Sequence, residues 1–238
     1  MSYSENPYQA FGVPAEMADT DARVDFIRKT YVHLTAAVLA FAGLCAIGLQ
    51  IPAVESLCEA FLGTPYLYLI AMFGLMGVSY LCDRWAAQST SIGTQYLGLG
   101  LYTVAQAAFF LPMLYLADHY APGAIVSAAA ITLTVFIGLT LSVFITRADF
   151  SFLRSALFIG GFAAIGIALC LTFFGVSPGW GLVIAGAFVV LAAGYILYHT
   201  SQVLHHYPTT MHVAAALALF ASLTTLFWYV LQIMMRRD

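Results

Sequence analysis

The chain reads as an all-α, polytopic membrane protein built as a bundle of seven spanning helices, and three observations predict it. Only 8% of its 238 residues are charged and 62% are hydrophobic, whereas a soluble globular domain carries roughly 25% charged residues. The apolar residues gather in seven runs, each near the about 20 residues needed to cross a ~30 Å hydrocarbon core. None of these runs contains Asp, Glu, Lys or Arg, as expected where one such charge at a helix centre costs about 2.5–3.5 kcal/mol.

In chain order the runs are Tyr31 to Gln50, Pro65 to Cys82, Thr94 to Ala117, Ala124 to Ile145, Ser155 to Phe174, Trp180 to His199, and Val213 to Met235. Turn residues punctuate the connections: Pro52, Gly63 and Pro65; Pro122 and Gly123; Gly175, Pro178 and Gly179; Pro208. Connections this short make neighbouring helices antiparallel, within one bundle. Gly74 with Gly77, Gly98 with Gly100, and Gly160 with Gly161 permit close helix contact. Trp85, Trp180 and Trp228 are expected near the membrane interfaces.

Residues 1–22 form a polar, acidic tail, and 23–238 the membrane domain. The tail lacks the basic and apolar regions of a cleavable signal, so the first span is expected to serve as the insertion signal. Asp21 to Lys29 reads as a short interfacial helix, or as an extension of the first span, with Asp25 paired to Arg28 or Lys29. Seven crossings place Arg23, Arg28, Lys29, Arg84, Arg147 and Arg154 on the N-terminal side and only Arg236 and Arg237 opposite. The N-terminus is therefore expected in the cytoplasm. The terminal arginine pair is the discordant element, and a re-entrant segment would remove the discord.

The same inventory narrows the chemistry. A net charge of −3 with eight Lys plus Arg offers no stripe for a phosphate backbone, so nucleic acid is not an expected partner. Cys45, Cys58, Cys82 and Cys170 are scattered and read as small hydrophobes. A metal site needs converging ligands; the nearest approach is His199, His205, His206 and His212, and the adjacent pair diverges on a helix. Gly175-Val176-Ser177-Pro178 departs from an intramembrane serine-protease motif at its fourth position and reads as a turn. A retinal Schiff base is excluded because Lys29, the single lysine, precedes the first span. No cofactor and no enzymatic constellation are expected. The ionisable groups left near spans are His33 and His199, and the imidazole's ordinary pKa lies nearest physiological pH.

Five stretches, Phe26 to Tyr31 running into Leu34, Gly74-Leu75-Met76, Ile145 to Leu153, Ile196 to Ser201, and Leu219 to Leu223 with Leu226-Phe227, resemble motifs of the Bax inhibitor-1 family, in particular its bacterial YccA-like branch. The resemblance runs from Arg23 onward. It implies six helices around a central, C-terminal seventh, in a bacterial inner membrane. It also implies calcium leak or pH-sensitive ion passage, or regulation of a membrane protease. The family's leak device is an acidic pair on spans six and seven held by a span-two arginine. Here those acidic positions correspond to His199 and Ser222, and the run drawn for span two has no Arg. Two carboxylates share a proton or chelate a cation in ways that His and Ser do not. The expectation is weakened calcium passage, with any pH response carried by His199 and with Ser222 as its hydrogen-bond partner. The alternative is an interaction protein without flux, its acidic tail open to a membrane protease or another membrane protein.

Overall fold

The computed structural model describes residues 13–86, 91–174 and 178–236; the Gly175-Val176-Ser177 turn lies outside them. Among the described residues there are eight helices: α1 Thr20–Gly48, α2 Pro52–Leu62, α3 Pro65–Ala86, α4 Ile92–Tyr120, α5 Ala124–Thr146, α6 Leu153–Phe174, α7 Pro178–His205 and α8 His212–Met235. All but α2 are long and apolar enough to cross a membrane.

Burial ranks the helices. On α8 nearly every side chain is buried, from Val213 through Leu231, and α8 packs on α1, α3, α4, α5 and α7. A helix apolar all round and buried all round is a core helix, so the central seventh span is present. The outer helices turn large apolar side chains outward, Val126 of α5 at 73% exposure and Phe174 of α6 at 87%. Water would penalise such a surface and lipid does not. α6 is the least embraced span; it rests on α7 and touches α3 over a short stretch.

Local chemistry sets the helix ends. Gly123, at φ 86°, supplies the left-handed residue from which α5 starts, and Arg147, at φ 50°, ends that helix in the same region. The Ser91 hydroxyl accepts from Thr94 N–H and caps α4.

Several expectations need correction. For Asp21 to Lys29 the structure decides between the two readings in favour of the extension of the first span: the stretch opens a continuous α1, where Asp25 pairs with Lys29 at 2.6 Å and Arg28 at 3.5 Å, as expected. The stretch read as a Pro- and Gly-marked connection after span one contains α2, too short to span, with Pro52 in its first turn. Its Glu55 and Glu59 stand one turn apart and both accept from the Tyr115 hydroxyl of α4, at 3.1 and 3.2 Å. Helix α3 continues past Cys82 to take in Asp83 and Arg84. Trp228 leaves the interface and packs inside, its ring centroid 4.9 Å from both Phe109 and Phe110. Gly74 and Gly77 have no neighbour where a Cβ would stand, whereas Gly98, Gly160 and Gly161 do.

Among the described residues the seven apolar helices are each long enough to cross. Residues 13–16 pair with the α7–α8 connection: Ala15 N–H donates to Tyr207 O at 2.9 Å, Glu16 N–H to His205 O at 3.4 Å, and Thr209 N–H to Val13 O at 3.2 Å. α1 and α8 therefore start on one face, and α8 ends on the other.

Candidate functional site

The two sites singled out in the sequence, His199 and Ser222, sit on adjacent helices but are not hydrogen-bonded to each other. Ser222 is 4% exposed, and its hydroxyl donates to Ala218 O of its own helix at 2.9 Å. A serine bonded back this way has satisfied its proton inside the turn. His199 is flanked by Tyr195, nearly parallel at 6.1 Å, and by Tyr198, edge-on at 5.1 Å. Its Nδ1 is buried and has no hydrogen-bond partner.

His199 lines a recess of about 290 Å³ at the N-terminal face, together with Tyr198, Gln202, His206, Tyr207 and Met211. Asp83, at the end of α3, lies within electrostatic reach of Tyr207 and of Tyr102. Burial pushes the Tyr207 phenol up to about 12, with Asp83 and Tyr198 adding to it. The sequence reading missed Asp83 because the apolar run was closed at Cys82, one residue before it. Its signal was helical spacing, since Asp83 stands one turn beyond Ser79.

The four histidines weighed as metal ligands do not form a group of three among the described residues, although His199 and His206 line the same recess. His205 Nδ1 sits 3.0 Å from Ser201 O, and His206 Nε2 3.9 Å from Asp149 Oδ2. The His212 ring meets that of His33 at a tilt, centroids 5.1 Å apart, and His33 Nε2 is 2.9 Å from the Tyr96 hydroxyl.

Two sequence motifs that are far apart in the chain meet beside the recess. Asp149, in the α5–α6 connection, accepts from Ser151 N–H at 2.8 Å and Ser151 Oγ at 3.1 Å. It also accepts from Ser201 Oγ of α7, at 3.2 Å. Ser201 Oγ in turn accepts from Phe150 N–H at 2.9 Å. This clasp ties the connection to α7 two residues from His199. A third motif comes near them, where the hydroxyls of Tyr31, Thr140 and Thr200 gather from α1, α5 and α7.

These are the stretches that carry the family resemblance, and the family model described as inhibitor of apoptosis-promoting Bax1 matches residues 23–238. The chain belongs to the Bax inhibitor-1 family. An uncharacterized protein of Pseudomonas aeruginosa is 31% identical over 191 residues, which is 78% of this chain and 77% of its own length. In this Bax inhibitor-1 protein the clasp is built on the Asp149 carboxylate. The Ser151 N–H, first, and then the Ser151 and Ser201 hydroxyls and His206 hold the Asp149 carboxyl below its usual range. A depressed carboxylate contributes stability above its unfolded pKa of about 3.9 and loses it as the pH falls through the lower folded value. Between pH 5 and 8 the Asp149 carboxyl therefore stays ionised, and its hydrogen bonds to Ser151 and Ser201 are kept. Ser201→Ala removes an acceptor from Phe150 N–H and a donor from Asp149 together. It is expected to cost about 1–2 kcal/mol and to speed amide hydrogen exchange at Phe150, with exchange inside α8 unchanged.

Proposed function

We propose that this protein is a bacterial inner-membrane protein, N-terminus in the cytoplasm, that passes ions in a pH-dependent leak with His199 as the titrating group. Six of the eight Lys and Arg side chains fall on the N-terminal side, which supports the orientation. The observation that carries the leak is the His199 Nδ1, buried and unpartnered at the wall of a recess shared with Tyr207 and His206. An unpaired imidazole nitrogen in an apolar bundle is costly unless water or a proton reaches it. Protonation places a charge there that draws water into the recess, and the leak rises as the pH drops. Ser222 serves packing, because its proton is already given to Ala218 O.

Proton flux into liposomes tests this. Wild type is expected to show a flux that increases several-fold from pH 7 to pH 4, and His199→Ala and His199→Gln a flat profile. Ser222→Ala keeps the wild-type profile. Equal flux with equal pH dependence in wild type and both His199 variants ends the reading.

A second reading draws on the seating of residues 13–16 against the connection that follows His205. A membrane protease or other membrane protein that grips the acidic tail would pull directly on the recess. Deleting residues 1–12, which keeps the seat of residues 13–16, then alters turnover of the protein in cells while leaving pH-dependent flux in liposomes intact.

A further inference from the structure

Two apolar cavities adjoin under α2. The first, of about 570 Å³, lies between α2, α3 and α4, and the second, of about 370 Å³, between the ends of α2, α3, α4 and α8. Phe61, Phe109 and Pro112 line both. α2 roofs the first with Val54, Leu57, Cys58 and Phe61, the i, i+3, i+4, i+7 stripe of one helix face. Its Glu55 and Glu59 turn to Tyr115 instead and line neither cavity. Gly74 of α3 lines the first cavity, is exposed, and has no neighbour where a Cβ would stand, so no side chain fills the space there. From Leu67 to Val78, the stretch of α3 along this cavity, the helix rises about 16 Å, which is the depth of one leaflet of a ~30 Å hydrocarbon core.

Arg236 marks the mouth. It is exposed, it lines the second cavity, and no other residue lining either cavity carries a formal charge. Its guanidinium lies against Gly181 of α7, where a Cβ would collide with it, and this contact holds it at the edge of the bundle. Among the described residues no carboxylate pairs with it. Arg236 also belongs to the terminal pair that seven crossings leave on the face opposite the N-terminus, against the usual bias of basic residues. A guanidinium matches a phosphate in charge and in geometry, and an apolar cavity one leaflet deep matches an acyl chain. A phospholipid carries both groups, whereas a free anion would leave the cavities empty and an uncharged chain would leave Arg236 unpaired. We propose that α2, α3, α4 and α8 form a binding site for one phospholipid of the leaflet opposite the N-terminus, with an acyl chain under α2 and the phosphate on Arg236. The site lies on the other face from the His199 recess and does not rest on the leak.

The full chain, purified and delipidated in detergent, is titrated with palmitoyl-oleoyl phosphatidylglycerol and with the matching diacylglycerol, which lacks the phosphate. Native mass spectrometry counts the adducts. One phosphatidylglycerol is expected to bind each chain, and to bind Arg236→Gln about tenfold more weakly, as loss of a charge-assisted hydrogen bond implies. The diacylglycerol binds more weakly than the phospholipid, and alike in wild type and Arg236→Gln. Gly74→Leu fills the first cavity at a point where nothing stands within 4 Å of a Cβ, and it weakens both lipids. Gly100→Leu, equally free of neighbours and lining neither cavity, weakens neither. If phosphatidylglycerol binds all four proteins alike, or no more tightly than the diacylglycerol, the cavities take bulk lipid only and the proposal is overturned. A dimer in place of the lipid adduct overturns it as well, since a second copy of the chain then covers the groove.

Discussion

Phe220→Ala is expected to lower stability by about 3–5 kcal/mol, measured as the shift in thermal or denaturant unfolding in detergent. Phe220 is fully buried on α8, and it meets Phe41 of α1 and Tyr102 of α4 edge-on, each at 5.9 Å. In a soluble protein much of this cost would be the transfer of the ring from water. Lipid is as apolar as the ring, so here the cost is the loss of dispersion contacts and the cavity left behind. That cavity is closed by α1, α4 and α8 and is out of reach of an acyl chain. The contrasting substitution is Val126→Ala, where the side chain is 73% exposed on the lipid face of α5. Lipid fills the gap, and the change stays within about 0.5 kcal/mol. A loss at Phe220 no greater than the loss at Val126 would show that α8 is not the packing core.

This contrast explains what the sequence reveals about the fold and what it hides. Seven spans are legible because charge is excluded from hydrocarbon, and that exclusion needs no knowledge of which helix touches which. The central position of α8 is not legible from hydropathy, since α5 is equally free of charge and yet faces lipid. The family resemblance supplied it. Helix ends are hidden for a related reason: a helix does not stop where the hydrocarbon stops. α1 therefore runs back through Asp25 to Thr20, and α3 runs on through Asp83. α2 was masked by Pro52, which signals a turn and a helix start equally well.

The site was legible as positions and not as contacts. Motif correspondence put His199 and Ser222 at the places of an acidic pair. It could not show that a serine, unlike a carboxylate, closes on its own helix carbonyl. The Asp149–Ser201 clasp joins two motifs about fifty residues apart, and only the fold brings them together. Gln106 escaped notice because an amide within an apolar run carries no charge signal, and its bond to Thr224 of α8 appears only in the fold.

Gly98→Val is expected to cost about 1–3 kcal/mol, the range for forcing extra bulk into a packed contact. A Cβ at Gly98 would stand 2.9 Å from Cys82 O, and 3.4 Å from both Ala86 N and Trp85 Cβ. Two of those atoms are backbone, so no side-chain rotation relieves the contact and the end of α3 must move away from α4. That end carries Asp83, whose charge reaches Tyr207 in the His199 recess. The substitution thus acts twice, loosening the α3–α4 pair and withdrawing the carboxylate from the recess. Gly100→Val separates this effect from helix propensity, because at Gly100 nothing lies within 4 Å of a Cβ. The two substitutions change intrinsic propensity alike, so a stability loss confined to Gly98 reports the close approach, and equal losses at both positions would refute it. If the pH profile of the proposed leak shifts in Gly98→Val and not in Gly100→Val, Asp83 shapes the electrostatics of the recess from a different helix than His199.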